Sequence, residues 1–148
     1  MATPIIKQVP PESVGGKILF AGTDGKFYNA QGRELQPSCN PSQQRYKPNH
    51  HGSYPHMRHF GNRSCHHLIW ETFVGPRTPG MEIDHINGNK LDWSLDNLEE
   101  VTPAENRRRA KLLRLLRSFG RDPRQMTRDE LLTIFNKYEF GHRNSDTL

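Results

Sequence analysis

At 148 residues the chain is long enough for one domain, or for one small domain with appendages. Leu, Ile, Val and Phe supply 31 of those residues, about 21%, just above the range where chains fail to collapse, so the core must be small. Lys and Arg outnumber Asp and Glu by 21 to 16, a net charge of +5 that suits a polyanionic partner such as nucleic acid, and no apolar run approaches the length of a membrane span.

The first eleven residues lack the basic start and apolar stretch of a secretion signal, so an intracellular location is expected. Residues 1–16 read as a leader. From Lys17 to Asn29, two short apolar and aromatic runs split by Asp24-Gly25 predict a hairpin, because this pair tolerates the positive φ of tight turns. Gln31-Gly32 marks a second turn. Three prolines between 37 and 53 predict a surface loop, and Tyr54 to Phe60 an edge strand. Cys39 and Cys65 form no CxxC pair, so no disulfide framework or four-cysteine zinc site is supported.

Ser64 is a candidate cap for a helix with Cys65, Leu68, Ile69 and Phe73 at helical spacing, ended by Gly75 and Pro76. Extended structure is expected at 81–86 and 98–101, joined by a long loop that holds Trp93 and Asn97. Thr102, Pro103 and Glu105 predict a capping box opening a helix to about Phe119. On that helix Leu112, Leu115, Leu116 and Phe119 are expected to share an apolar side, opposite Arg107, Lys111 and Arg114. Thr127 and Glu130 open a last helix, with Leu131, Ile134, Phe135 and Tyr138 on one face.

Charge changes sign abruptly along this stretch. From Glu82 to Glu105 there are seven acids and one base; from Arg107 to Arg128 there are nine bases and one acid. A polyanion would be repelled by the first block and held by the second, unless a cation sits among the acids. The plainer alternative is a solvated acidic loop followed by a charged helix.

Strand, loop, strand and helix place Asp84 and His85, then Asn97 twelve residues after His85, then Asn106 nine further on. With the runs H-I-N-G-N (85–89) and N-L-E-E-V-T-P-A-E-N (97–106), the stretch 65–109 resembles the HNH endonuclease family. It is closest to the phage and intron-encoded homing branch, in which the third motif position is Asn. The upstream run GRELQP is similar to a small motif that often precedes HNH in that branch, so the resemblance spans about residues 17 to 110.

The resemblance implies an α+β fold with a small ββα-metal nuclease core. That core is expected at 64–119, after the leader and a β-rich DNA-contacting region at 17–63, and before a helical extension at 120–148. It further implies catalytic roles for His85, Asp84, Asn106 and Asn97. Asp84 and Asn106 would hold one divalent metal, Mg²⁺ with Mn²⁺ as a substitute, His85 would be the general base, and Asn97 would hold the loop in shape. Phosphodiester hydrolysis needs such parts: a histidine with a pKa near neutrality to activate water, and a hard cation to relieve charge at the phosphate and leaving oxygen.

Arg107, Arg108, Lys111, Arg114, Arg117, Lys90 and Arg58 are the expected contacts to double-stranded DNA. Six histidines at 50, 51, 56, 59, 66 and 67 raise a zinc alternative, but their spacing fits no ligand pattern and no structural zinc is expected. His66 is read as a core histidine. Adjacent strand residues face opposite ways, so Asp84 and His85 are expected where the strand ends. The leading expectation is a nicking endonuclease in the cytoplasm of a bacterial or phage-infected cell. Double-strand cleavage would need a dimer or repeated nicking. A catalytically silent DNA-binding module is the alternative; RNA binding fits the charge but lacks the exposed aromatic pairs of common single-strand readers.

Overall fold

The computed structural model describes residues 2–38 and 54–138. Among them, short extended runs punctuated by turn residues close into an antiparallel meander of β1 (Ile6–Gln8), β2 (Phe20–Gly22), β3 (Phe27–Tyr28) and β4 (Glu34–Leu35), in that spatial order. The predicted Asp24-Gly25 hairpin joins β2 to β3: Gly25 N–H donates to the Gly22 carbonyl at 2.9 Å, with Gly25 at φ 91°. Gly32 likewise turns β3 into β4, its N–H on the Asn29 carbonyl at 2.9 Å. The strand expected from Lys17 lies further along, at Phe20–Gly22, and Ile18 is exposed.

The expected leader supplies the first strand. Ile6 pairs with Gly22 and Gln8 with Phe20, and Val9 and Val14 are wholly buried around a 3₁₀ turn at Pro11–Val14. All three residues of β1 are exposed, so it carries no apolar alternation that a sequence reading could detect.

A two-residue ribbon, β5 (His56–Met57) with β6 (Arg63–Ser64), leads into α1 (Cys65–Phe73). Ser64 occupies the cap position without a side-chain cap bond; the Cys65 N–H is instead satisfied by the Pro55 carbonyl at 3.0 Å. Residues 39–53, where a surface loop is expected and where Cys39, His50 and His51 fall, and the chain after 138 lie outside the described residues.

Next come β7 (Glu82–His85), β8 (Leu98–Val101) and α2 (Pro103–Ser118), the ββα unit of a small α+β fold. Thr102 Oγ1 accepts from the Glu105 N–H at 3.0 Å, but the Glu105 carboxylate turns to Arg108 and Arg109 and leaves the expected capping box half made. A 3₁₀ turn (Pro123–Gln125) precedes α3 (Arg128–Lys137), whose Thr127–Glu130 box is complete.

Two apolar clusters result. The first joins Val9, Leu19 and Phe27 of the meander region to Leu68 and Ile69 of α1 and to Ile83 and Leu98 of the β7–β8 ribbon. The second joins Ile86 to Leu112 and Leu113 of α2 and to Leu131 and Phe135 of α3. The ribbon and the turn after it therefore form the wall between the cores. Burying each large side chain contributes about 1.5–3 kcal/mol, so this shared wall is the best-anchored place in a chain with few apolar residues.

The inward face of α2 differs from the expected one. Arg109, Leu112 and Leu113 are buried, whereas Leu115 and Phe119 are 44% and 79% exposed. Helical spacing groups residues 109, 112, 113 and 116 as readily as 112, 115, 116 and 119, and the position of α3 selects the first set.

Candidate nuclease site

In β7 the side chains alternate across the ribbon. Ile83 and His85 are buried on one side, while the Asp84 carboxylate meets Arg109 of α2 and the Glu82 carboxylate meets Asn106. His85 is the last residue of the strand, opposite Leu98, and its carbonyl accepts from the Gly88 N–H at 2.8 Å to close a tight turn. The strand end thus carries both neighbours of the D-H pair, one facing each way.

His85 is 6% exposed, and its Nε2 has no hydrogen-bond partner among the described residues. Its ring lies 5.9 Å from that of Tyr54, nearly parallel, and 4.7 Å from that of His66. Burial, and then the charge of Lys90, pushes the imidazole down to about 4, so it is neutral at physiological pH and a weaker base than a histidine of ordinary pKa. Tyr54 ties the two sides together. Its phenol is raised by burial and by the fields of Glu82 and Asp84, while Lys90 Nζ lies 4.8 Å above its ring.

Asp84 accepts from Arg109 at 3.3 Å and is raised to about 6, because burial outweighs the guanidinium. Asn106 Nδ2 donates to Glu82 Oε2 at 2.5 Å, which turns its amide oxygen away from that carboxylate. Asn97, buried in the loop, accepts from the Asn87 N–H at 3.0 Å and donates to Asn87 Oδ1 at 2.9 Å and to the Asp92 carbonyl at 2.8 Å.

The donors suit a hard divalent cation in kind: a carboxylate at Asp84 and an amide oxygen at Asn106 with its nitrogen engaged elsewhere. Among the described residues, no three His, Cys, Asp or Glu side chains are grouped to enclose a metal. An ion held at this place would rest on two protein oxygens and leave most of its positions to water and substrate.

The HNH endonuclease family matches residues 63–108, the stretch from β6 into α2 that holds all four motif positions. The likeness to the HNH endonuclease family is carried by this segment. Two curated proteins are similar to parts of the chain. Protein 3.8 of Escherichia phage T7 is 49% identical over 41 residues, 28% of this chain and 34% of that protein. The SPbeta prophage-derived YosQ of Bacillus subtilis (strain 168), named as a candidate HNH homing endonuclease, is 44% identical over 45 residues, 30% of this chain and 26% of that protein. The chain therefore spans about a third or less of the curated relatives it matches. No solved structure matches it.

Around the HNH segment, Arg107, Lys111, Arg114 and Arg117 form an exposed stripe along α2, and Arg58 is exposed beyond β5. Arg108 stands apart from this group. It bonds Glu105 and also donates to the carbonyls of Phe135 and Tyr138, so it ties α2 to the end of α3. Two residues near the motif were not singled out by sequence, Glu82 beside Asn106 and Arg109 beside Asp84, and neither was the packing of Tyr54 and His66 against the His85 ring. Arg109 sits within a run of three arginines, and nothing local marks which of them turns inward. His66 is a core histidine in its burial, with a pKa pushed down to about 2, but the ring it packs on is that of His85. Among the described residues no helix is long and apolar enough to cross a membrane.

Proposed function

We propose that the chain is a metal-dependent HNH endonuclease that nicks duplex DNA in the manner of homing endonucleases. The observation that carries this reading is the buried Nε2 of His85, without a hydrogen-bond partner among the described residues, at the end of β7 within the family match. A buried polar atom without a partner carries a cost unless something else meets it, and here a water or substrate oxygen is the natural complement.

In this mechanism His85 takes the proton of an attacking water as general base, while Tyr54 and His66 hold its ring by packing. Asp84 and Asn106 would hold the divalent ion, Mg²⁺ by its preference for oxygen donors or Mn²⁺ in its place, and the bound ion would supply charge relief at the phosphate and the departing 3′ oxygen. Glu82 orients the Asn106 amide, and Asn97 keeps the loop between the strands in one shape. Arg107, Lys111, Arg114, Arg117, Lys90 and Arg58 neutralise backbone phosphates of the duplex.

Nicking of supercoiled plasmid tests the reading, with Mg²⁺ or Mn²⁺, with and without chelator, for the wild type and His85→Ala. Metal-dependent nicking lost in His85→Ala is the expected result. DNA binding without cleavage across varied targets, or equal cleavage by both proteins, would overturn the catalytic assignment. The first of those outcomes favours a silent DNA-binding module, a state compatible with the Arg109–Asp84 and Glu82–Asn106 bonds persisting with DNA bound.

A further inference from the structure

We infer that the chain carries a second phosphate-binding seat in the cleft between the Gly88–Asn89 turn, inside the family match, and the end of α2, beyond it. This inference rests on the reading of the chain as a DNA-binding nuclease and joins Arg117, already placed on the duplex, to Arg121, which that reading does not use. The cleft has a volume of about 480 Å³ and is lined by Gly88, Asn89, Arg117, Gly120, Arg121, Asp122 and Arg124.

Its charge is one-sided. Three guanidinium groups face one carboxylate, and Asp122 is already paired with Arg124 at 3.1 Å. Arg117 and Arg121 have no ion pair among the described residues, and both are exposed. Two unpaired guanidinium groups at the edge of one cleft are a geometry that phosphate oxygens satisfy with charge-assisted hydrogen bonds.

The fold holds the cleft open through a glycine. A Cβ at Gly88 would lie 2.9 Å from Leu113 Cδ1 and 3.1 Å from Arg117 Nη2, and φ there is +75°. Arg117 therefore rests against bare backbone, in a position that a side chain at 88 would displace. The same Gly88 closes the turn on the His85 carbonyl. The cleft therefore begins three residues along the chain from the proposed general base.

The ligand is a phosphodiester of the DNA backbone, and free phosphate is the competing source of the same chemistry. The test measures duplex binding by fluorescence anisotropy across a salt series for wild type, the Arg117→Ala/Arg121→Ala double variant and Asp122→Asn. Binding of inorganic phosphate is followed in parallel by ³¹P NMR, and thermal unfolding confirms that the variants fold. The expected result is weaker DNA binding by the double variant, with its log–log salt slope shallower by about 2, of which loss of Arg117 from the α2 stripe accounts for about 1, and tighter binding by Asp122→Asn. A slope shallower by about 1 or less in the double variant, with wild type binding DNA normally, overturns the seat alone. Loss of inorganic phosphate binding with the DNA slope unchanged also overturns it. Absence of DNA binding by wild type overturns the nuclease reading and this seat with it.

Discussion

Arg109 of α2 reaches across to Asp84 of β7 at 3.3 Å, and the same guanidinium bonds Glu99 at 2.5 Å and Glu105 at 2.8 Å while lying 4.9 Å from the Phe135 ring. One buried cation thus gathers three carboxylates from strand, strand and helix, with an aromatic face from α3 behind it. The arrangement joins the proposed metal position to a helix outside the family match.

Removing that cation leaves carboxylates partly buried without a partner. Arg109→Met is expected to destabilise the fold by about 3 kcal/mol, read from urea unfolding in the presence of chelator. Added Mg²⁺ is expected to raise the stability of Arg109→Met by more than it raises that of wild type, since the ion supplies the missing charge. Equal shifts in the two proteins would count against Asp84 as a ligand.

Glu82 holds the Asn106 amide in one orientation. Glu82→Ala is expected to raise the Mg²⁺ concentration for half-maximal nicking by about 10-fold to 100-fold, the usual effect of losing a group that orients a ligand. Nicking at saturating Mg²⁺ should then recover much of its rate. A lowered rate that no metal concentration restores would instead give Glu82 a role in the reaction itself.

Asn97 makes three hydrogen bonds inside the loop, two of them to Asn87. Asn97→Ala strands the buried Asn87 groups and is expected to cost about 2–3 kcal/mol. Hydrogen exchange at the Asn87 amide should accelerate more than exchange within α1. Uniform acceleration across the fold would show that the loop has no stability of its own to lose.

Acid sensitivity follows from the histidines against α1. Burial, followed by neighbouring positive groups, holds His66 down to about 2 and His67 down to about 4, below the ordinary value near 6.5. As pH falls below about 6.5 the unfolded chain takes up these protons first. The stability present above that pH is therefore lost progressively toward 4 for His67, and lower still for His66, at up to about 1.4 kcal/mol per pH unit for each. Asp84, raised to about 6, acts in the opposite sense: the folded state binds its proton first, which offsets part of the loss between about 6 and 4. Urea midpoints are expected to fall from pH 7 to 4.5 in wild type and to fall less in His66→Asn.

The sequence by itself determined the order of the ββα unit, the two hairpin turns, the caps at Thr102 and Thr127, and the spacing of Asp84, His85, Asn97 and Asn106. These are local: a turn needs Asp-Gly, a cap needs Thr, and a motif needs only residue counts. Only the tertiary structure decided which side of α2 is inward, because helical spacing groups residues without saying what covers them. Burial of Arg109 against carboxylates 4, 10 and 25 residues away, with Leu115 and Phe119 left exposed, was settled by where α3 docks. Arg108 fell to helix packing for the same reason. The setting of His85, with Tyr54 and His66 from distant segments, and the addition of β1 to an open sheet edge both rest on long-range pairing. Such pairing is energetic, decided by which surfaces meet, and it leaves no periodic trace in the residues themselves.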